Sequence, residues 1–357
     1  MIYKNAELYN VTKLLSPEAG QAPGNAAHGH SSGGILRGAI LCRIPDKLRV
    51  TLNEKAKNAA LTPGGCEIRF NIEEGSAKVI LRTVEKIPAI VEVFQGSFPI
   101  SWHYVHTDPT EIVTSYPDNM GSLNYLTKKF GLPFDSHLTR VILPYKPAVE
   151  LVEIQGNISP PRKNQTPEKK YLAYGSSITH GFLAIRPTGS YVMRIAQMLG
   201  VDMINLGFGG GAYCEKQMAD YIAERTDWDF ATLEIGINML AAGFTVEEFR
   251  KAVEYFIRKI AESHPDRWVF CIDLFLCRWD FTSSSTKQDK FREIVRNTVG
   301  NLNMPKLIYI DGREILGKFS QLTADLVHPS SSGMEEIAIN FCKVIRKHLG
   351  QASSFEQ

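Results

Sequence analysis

Four short stretches in the second half of the chain carry residue types suited to acyl-transfer chemistry. Gly175-Ser176-Ser177-Ile178-Thr179-His180-Gly181 places hydroxyls on a tight turn directly after the apolar run Tyr171 to Tyr174. A serine in such a turn exposes its Oγ above a sheet while the following amides point at a bound oxyanion. Asn205-Leu206-Gly207-Phe208-Gly209-Gly210-Gly211 offers glycines that let backbone approach a ligand closely. Gly236-Ile237-Asn238 ends in an amide that either caps the next helix or turns its N–H toward developing negative charge. Asp325-Leu326-Val327-His328-Pro329 sets a carboxylate three residues before an imidazole. At that spacing the carboxylate can accept Nδ1–H and leave Nε2 free as a base.

Each stretch also has a plainer reading: a Ser/Thr turn, a helix cap, a solvated loop histidine. The serine loop is neither a G-x-S-x-G elbow nor a phosphate-binding Gly-Lys-Ser/Thr loop. A Gly-x-Gly-x-x-Gly pattern can be drawn around Gly207, but it opens the second strand–helix unit. No acidic residue about 20 positions on closes a following strand, as a dinucleotide site requires. What favours chemistry is that all four stretches fall at strand ends and together supply nucleophile, base, orienting acid and oxyanion donors.

The elements that must position them follow from periodicity. Beyond Ser159 to Lys170, a Pro-rich and basic linker, strand and helix alternate: Tyr171 to Tyr174, Met203 to Leu206, Phe230 to Ile235, Trp268 to Phe275 and Lys306 to Ile310 are apolar strands. Helices follow near Ser190 to Leu199, Glu215 to Arg225, Val246 to Ser263, Lys287 to Asn301 and Gly333 to Leu349. This predicts an α/β fold, a three-layer sandwich on a parallel five-stranded sheet, whose ligands bind beyond the carboxyl ends of the strands. Before the linker the segments are short and β-rich: Ile35 to Ile44, Leu48 to Leu52, Cys66 to Ile72, Lys78 to Val84, Ile90 to Phe94, Ile100 to His106, Leu138 to Leu143 and Val149 to Ile154. With no long amphipathic helix among them, they predict a β-sandwich of jelly-roll type. The expected domains are 1–160, a β-sandwich, and 161–357, the α/β domain. Trp102, His103 and Tyr104 sit together on an expected strand, where aromatics ordinarily belong to the core, although they could stack on a sugar ring.

The 357 residues have room for two domains of about 150 each. Forty Lys and Arg against 38 Asp and Glu leave no field to hold nucleic acid or an anionic membrane. The N-terminus carries Lys4, Asn5, Glu7 and Asn10 where a secretory signal needs an unbroken apolar stretch, and no spanning segment is visible. Six scattered cysteines suggest reduced thiols in a cytoplasmic protein. His28 and His30 lie in a Gly/Ser-rich loop without nearby carboxylates and read as solvated. Neither metal nor cofactor is expected, and homo-oligomerisation is left open.

In order, Gly175-Ser176-Ser177, Asn205 through Gly210, Gly236-x-Asn238 and Asp325-x-x-His328 resemble the four blocks of the SGNH (GDSL-like) hydrolases, over about residues 171 to 349. The resemblance implies a flavodoxin-like SGNH fold, Ser177 as nucleophile, Asp325 and His328 completing a triad, and an oxyanion hole from Ser177, Gly210 and Asn238. Ser176 stands where the family motif commonly has Asp, and Met239 where many members have Asp. A β-sandwich ahead of such a domain is similar to the two-domain carbohydrate esterases that remove acetyl groups. The run Gly181 to Pro187 also resembles the segment after their nucleophile, with Arg186 as a substrate-binding candidate near the site mouth. The implied function is a serine esterase acting on small acyl esters of a small molecule or oligosaccharide through an acyl-enzyme, without a membrane or nucleic-acid partner. Two alternatives stand: a lipid acyl-ester hydrolase or thioesterase on the same machinery, and a catalytically silent carbohydrate-binding protein.

Overall fold

The structure, a computed structural model, describes residues 1–17, 38–282 and 286–350. His28, His30 and the first residues of the expected strand from Ile35 lie outside the described residues. Two compact units emerge: residues 1–50 with 60–167, and residues 51–59 with 168–357.

The first unit is built on an antiparallel sheet of ten strands. Its spine is Glu67–Thr83, one strand where the sequence suggested two. The exposed stretch Glu73 to Ser76, with Gly75 at φ +66°, divides it. The first half pairs with Ala6–Tyr9 and Leu138–Ile142, the second with Thr110–Ser115, and Val149–Ser159 runs along both. Alternate residues Ile68, Phe70, Ile72, Val79 and Leu81 point into one apolar cluster with Leu8, Val91, Val141 and Leu151.

Two expectations fail here. Leu48 to Leu52 is not a strand: Asp46–Arg49 is helical, and Glu54–Ala59 forms a second helix whose Ala56 N–H is capped by Asn53 Oδ1 at 3.0 Å. The first turn has no side-chain cap and is closed instead by Arg49 on Asp46 at 2.8 Å, a local bond that four alternating residues do not outweigh. Met120–Phe130 is an 11-residue helix inside the β-rich half, closed by Gly131 in the left-handed region at φ +59°. The core expectation for the aromatic cluster fails as well. Trp102 and Tyr104 are 62% and 52% exposed, because Phe98–Val105 is the terminal strand of the sheet path.

The second unit is a parallel five-stranded sheet of Lys170–Gly175, Asp202–Gly207, Phe230–Glu234, Trp268–Ile272 and Leu307–Ile310. The second strand lies outermost, beside the first; the first pairs on its other side with the third, the third with the fourth and the fourth with the fifth. Helices Tyr191–Leu199 and Ser331–Leu349 pack together, with Tyr191 stacked on Phe341. Lys216–Glu224, Val246–Ser263 and Lys287–Leu302 form the other helical group, joined by the Tyr255–Asp220 hydrogen bond and the Phe249–Phe291 stack. In such a sheet the connections leave in opposite directions from the first and third strands, which opens a crevice beyond their carboxyl ends. Ser177 follows the first of these strands and Asn238 the third. Among the described residues, no helix is long and apolar enough to cross a membrane.

Candidate active site

The turn after the first strand is held from below by a buried carboxylate. Glu234, at the end of the third strand, accepts the Ser176 N–H at 2.6 Å and the Thr179 hydroxyl at 3.1 Å through Oε2. Burial pushes its carboxyl up, against the hydrogen bonds from Ser176 and Thr179 that favour the charged form. A Cβ at Gly175 would stand 2.2 Å from Thr179 Oγ1 and 2.5 Å from Glu234 Oε2, so the close approach requires glycine there. Ser176 caps the short helix Ser177–His180, its Oγ accepting the Ile178 N–H at 3.1 Å. Serine and aspartate are comparable caps, so Ser176 serves locally where the family motif has Asp. Ser177 thereby becomes the first helical residue, with its N–H at the helix's positive end.

Ser177 Oγ lies 2.7 Å from His328 Nε2, and His328 Nδ1 lies 2.6 Å from Asp325 Oδ2. The loop that delivers the last two is tightly determined. Asp325 Oδ1 accepts the N–H groups of Val327 and His328, each at 2.9 Å, and the Thr323 hydroxyl at 2.9 Å. The intervening Leu326 takes φ +55°. Thr323 N–H closes on His328 C=O, and Leu322 bridges to Pro329 before Ser330 caps the last helix. Desolvation would raise the Asp325 carboxyl, but the hydrogen bonds from His328, Val327 and Thr323 outweigh it and hold the group well below the usual carboxylate range. Asp325 therefore stays an anion beside the imidazole.

The second loop turns from Phe208 to Gly211, closed by Gly211 N–H on Phe208 C=O at 2.9 Å, with Gly210 at φ +75°. Asn205 sits behind it as a buried brace: its Nδ2 donates to Thr179 C=O at 3.1 Å and its Oδ1 accepts Gly207 N–H at 2.7 Å. Asn238 lies in helix Ile237–Ala241, behind Gly236 at φ +119°, and does not cap it. Its Oδ1 accepts the Ala212 N–H at 3.1 Å, which fixes the amide's orientation and leaves Nδ2 as its donor side. Arg186 is exposed, in the loop after the Ser177 helix.

Several contributors escaped the sequence reading. Glu234 carried a signal, a lone carboxylate closing the apolar run Phe230 to Ile235. Phe182, whose ring meets the His328 ring edge-on at 4.4 Å between centroids, and Thr323 carried none. Nor did Asn53, whose Nδ2 donates to Gly211 C=O at 2.9 Å and whose N–H donates to Glu215 at 2.8 Å, fastening helix Glu54–Ala59 to the glycine loop. Among the described residues, no group of three or more His, Cys, Asp or Glu gathers as a metal site.

The profile of the GDSL-like Lipase/Acylhydrolase family matches residues 173–336. No curated protein matches the chain significantly. Among solved structures, the salicylyl-acyltransferase SsfX3 from a tetracycline biosynthetic pathway is similar over 98% of this chain and 96% of its own, with TM-score 0.75 and 16% identity. A putative GDSL-like lipase from Bacteroides ovatus is similar over 95% and 98%, with TM-score 0.65 and 20% identity. A family two carbohydrate esterase from Clostridium thermocellum, solved with cellohexaose, is similar over 82% and 94%, with TM-score 0.60 and 15% identity. The parallel sheet, its ordered loops and the family match agree: residues 173–336 form a GDSL-like lipase/acylhydrolase domain, and the chain that carries it is a carboxylic ester hydrolase.

Proposed function

We propose that this hydrolase removes small acyl groups, acetyl foremost, from a carbohydrate ester through an acyl-enzyme on Ser177. The carrying observation is the continuous hydrogen-bonded chain Ser177 Oγ, His328, Asp325 at the sheet's carboxyl edge. In this reading His328 Nε2 takes the Ser177 proton as Oγ attacks the carbonyl carbon. Asp325 holds the tautomer and stabilises the imidazolium. The N–H groups of Ser177 and Gly210 and Nδ2 of Asn238 receive the oxyanion. The imidazolium then gives its proton to the departing alcohol, and water, deprotonated by the same nitrogen, releases the acid. The second unit is the catalytic domain and the first, a sandwich of jelly-roll type, an accessory domain. Likeness to a carbohydrate esterase solved with cellohexaose supports the sugar assignment. Six buried free cysteines support a reducing, cytoplasmic setting.

The experiment is a p-nitrophenyl acetate, butyrate and octanoate series with mass spectrometry of the quenched enzyme. Acetate should give the highest kcat/KM, with the acyl adduct on the Ser177 peptide. A rise toward octanoate would move the assignment to a lipid or thioester hydrolase, and absence of turnover to a binding protein. The likeness to an acyltransferase over nearly the whole chain favours one second reading, interception of the acyl-enzyme by an alcohol instead of water. Acyl transfer to an added sugar alcohol at the expense of free acid would establish it.

A further inference from the structure

Helix Glu54–Ala59 belongs to the catalytic unit although it comes from the first half of the chain. It packs so tightly on the glycine loop that a Cβ at Gly211 would stand 2.4 Å from Ala56 N. Lys55 is the exposed residue of this helix that reaches Gly210: its Cδ lies 3.2 Å from where a Gly210 Cβ would be. The ammonium, two bonds beyond Cδ, therefore stands at the rim of the loop assigned to the oxyanion. Nearby carboxylates are engaged by other groups. Glu54 pairs with Lys57 at 2.6 Å, and Glu215 accepts Asn53 N–H. Lys55 itself has no ion-pair partner among the described residues. Two further cations occupy neighbouring loops. Exposed Arg186 follows the Ser177 helix, and exposed Arg278 donates its backbone N–H to Leu326 C=O, inside the loop that carries Asp325 and His328.

We propose that Lys55 reads an anionic group on the substrate, so that the preferred esters carry a carboxylate close to the reacting carbonyl. This rests on the ester-hydrolase reading with Gly210 at the oxyanion. A neutral sugar ester needs no cation there, and a cation at the rim of the Gly210 loop with no ion-pair partner among the described residues has its most favourable interaction with a charged ligand. A substrate carboxylate would fit it, as in an acylated acidic sugar.

The test compares 4-acetoxybenzoate with its neutral methyl ester, in wild type, Lys55→Met and Lys55→Arg. Met keeps the stem that packs on Gly210 and removes the charge. The ratio of kcat/KM for the anionic over the neutral ester should fall about 3- to 10-fold in Lys55→Met, the scale of one partly exposed charge pair, and persist in Lys55→Arg. Added salt should lower the ratio in wild type and leave it flat in Lys55→Met. An unchanged ratio in Lys55→Met, whatever the absolute loss, would overturn the proposal: Lys55 would then serve the oxyanion or the loop. A wild type inactive on both esters would instead overturn the hydrolase reading on which it rests.

Discussion

Each unit of this protein sets a carboxylate against basic side chains, and the two networks differ in access and in what can titrate. In the first unit Glu67 accepts Arg69 Nε at 2.8 Å and Arg140 at 2.8 and 2.5 Å, and Arg140 also donates to Gly96 C=O. The guanidinium groups lie 3.6 Å from the Tyr9 ring centre and 3.5 Å from that of Phe134. All three charged groups are buried. Desolvation is outweighed by the two arginines, which hold the Glu67 carboxyl well below the usual carboxylate range. Arginine does not give up its proton and Glu67 takes one up only in strong acid, so nothing in this network changes state near neutral pH. In the second unit the carboxylate Asp325 is half-open to solvent, its partner is an imidazole, and the far end is a hydroxyl. A sealed network of fixed charges specifies structure. One with a titrating member and an open end is equipped to move a proton.

Removing the far hydroxyl is the strongest test. Ser177→Ala should lower esterase kcat by about 10⁴-fold or more while the melting temperature stays nearly constant, since the lost group makes one hydrogen bond. Retention of more than about one-hundredth of wild-type turnover would reassign the nucleophile.

The sealed network should respond in the opposite currency. Arg140→Ala leaves Glu67 charged and short of a partner, and should destabilise the first unit by about 3–5 kcal/mol, read by denaturant unfolding. Turnover per folded molecule should be unchanged. A fall in kcat without a fall in stability would join this network to the chemistry.

Asn238→Ala sharpens the role of the third loop. It should lower kcat by about 10²- to 10³-fold with little change in KM, because an oxyanion donor acts on the transition state. A raised KM with unchanged kcat would make Asn238 a ground-state contact.

The smallest effect concerns a charge that resembles neither network. Asp273, buried after the fourth strand, accepts the Tyr309 hydroxyl at 2.6 Å and Gly312 N–H at 2.7 Å, yet burial dominates and pushes it up to about 6. Unfolded, it ionises near its ordinary 3.8, so between these values the native state holds the extra proton and stability falls as pH rises. Asp273→Asn should therefore stabilise the protein by up to about 3 kcal/mol above pH 6 and change nothing below about pH 4. A pH-independent shift in thermal melts would place the effect in packing instead.

The α/β half was legible from the sequence because its strands are buried on both faces and its helices are amphipathic, so hydrophobic period alone separates them. The strand reading Trp268 to Phe275 ran past Ile272, since the chain stays buried to Cys277 after it leaves the sheet. The β-rich half was less legible. Ala6–Tyr9 is short, Thr110–Ser115 buries only Ile112 and Thr114, and Glu67–Thr83 carries a polar interruption that reads as a turn.

The sequence by itself determined which residue types stood at the ends of which strands, because local order and hydrophobic pattern fix both. It could not determine what those residues would meet. Ser177 and His328 are 151 positions apart and touch because the sheet returns the chain. Glu234 beneath the serine turn, Phe182 against the imidazole and the helix carrying Lys55 beside Gly210 follow from tertiary packing. Trp102 and Tyr104 lie exposed because their strand fell at a sheet's end. Periodicity is a property of neighbours along the chain, whereas burial, charge pairing and aim depend on the elements that close around them.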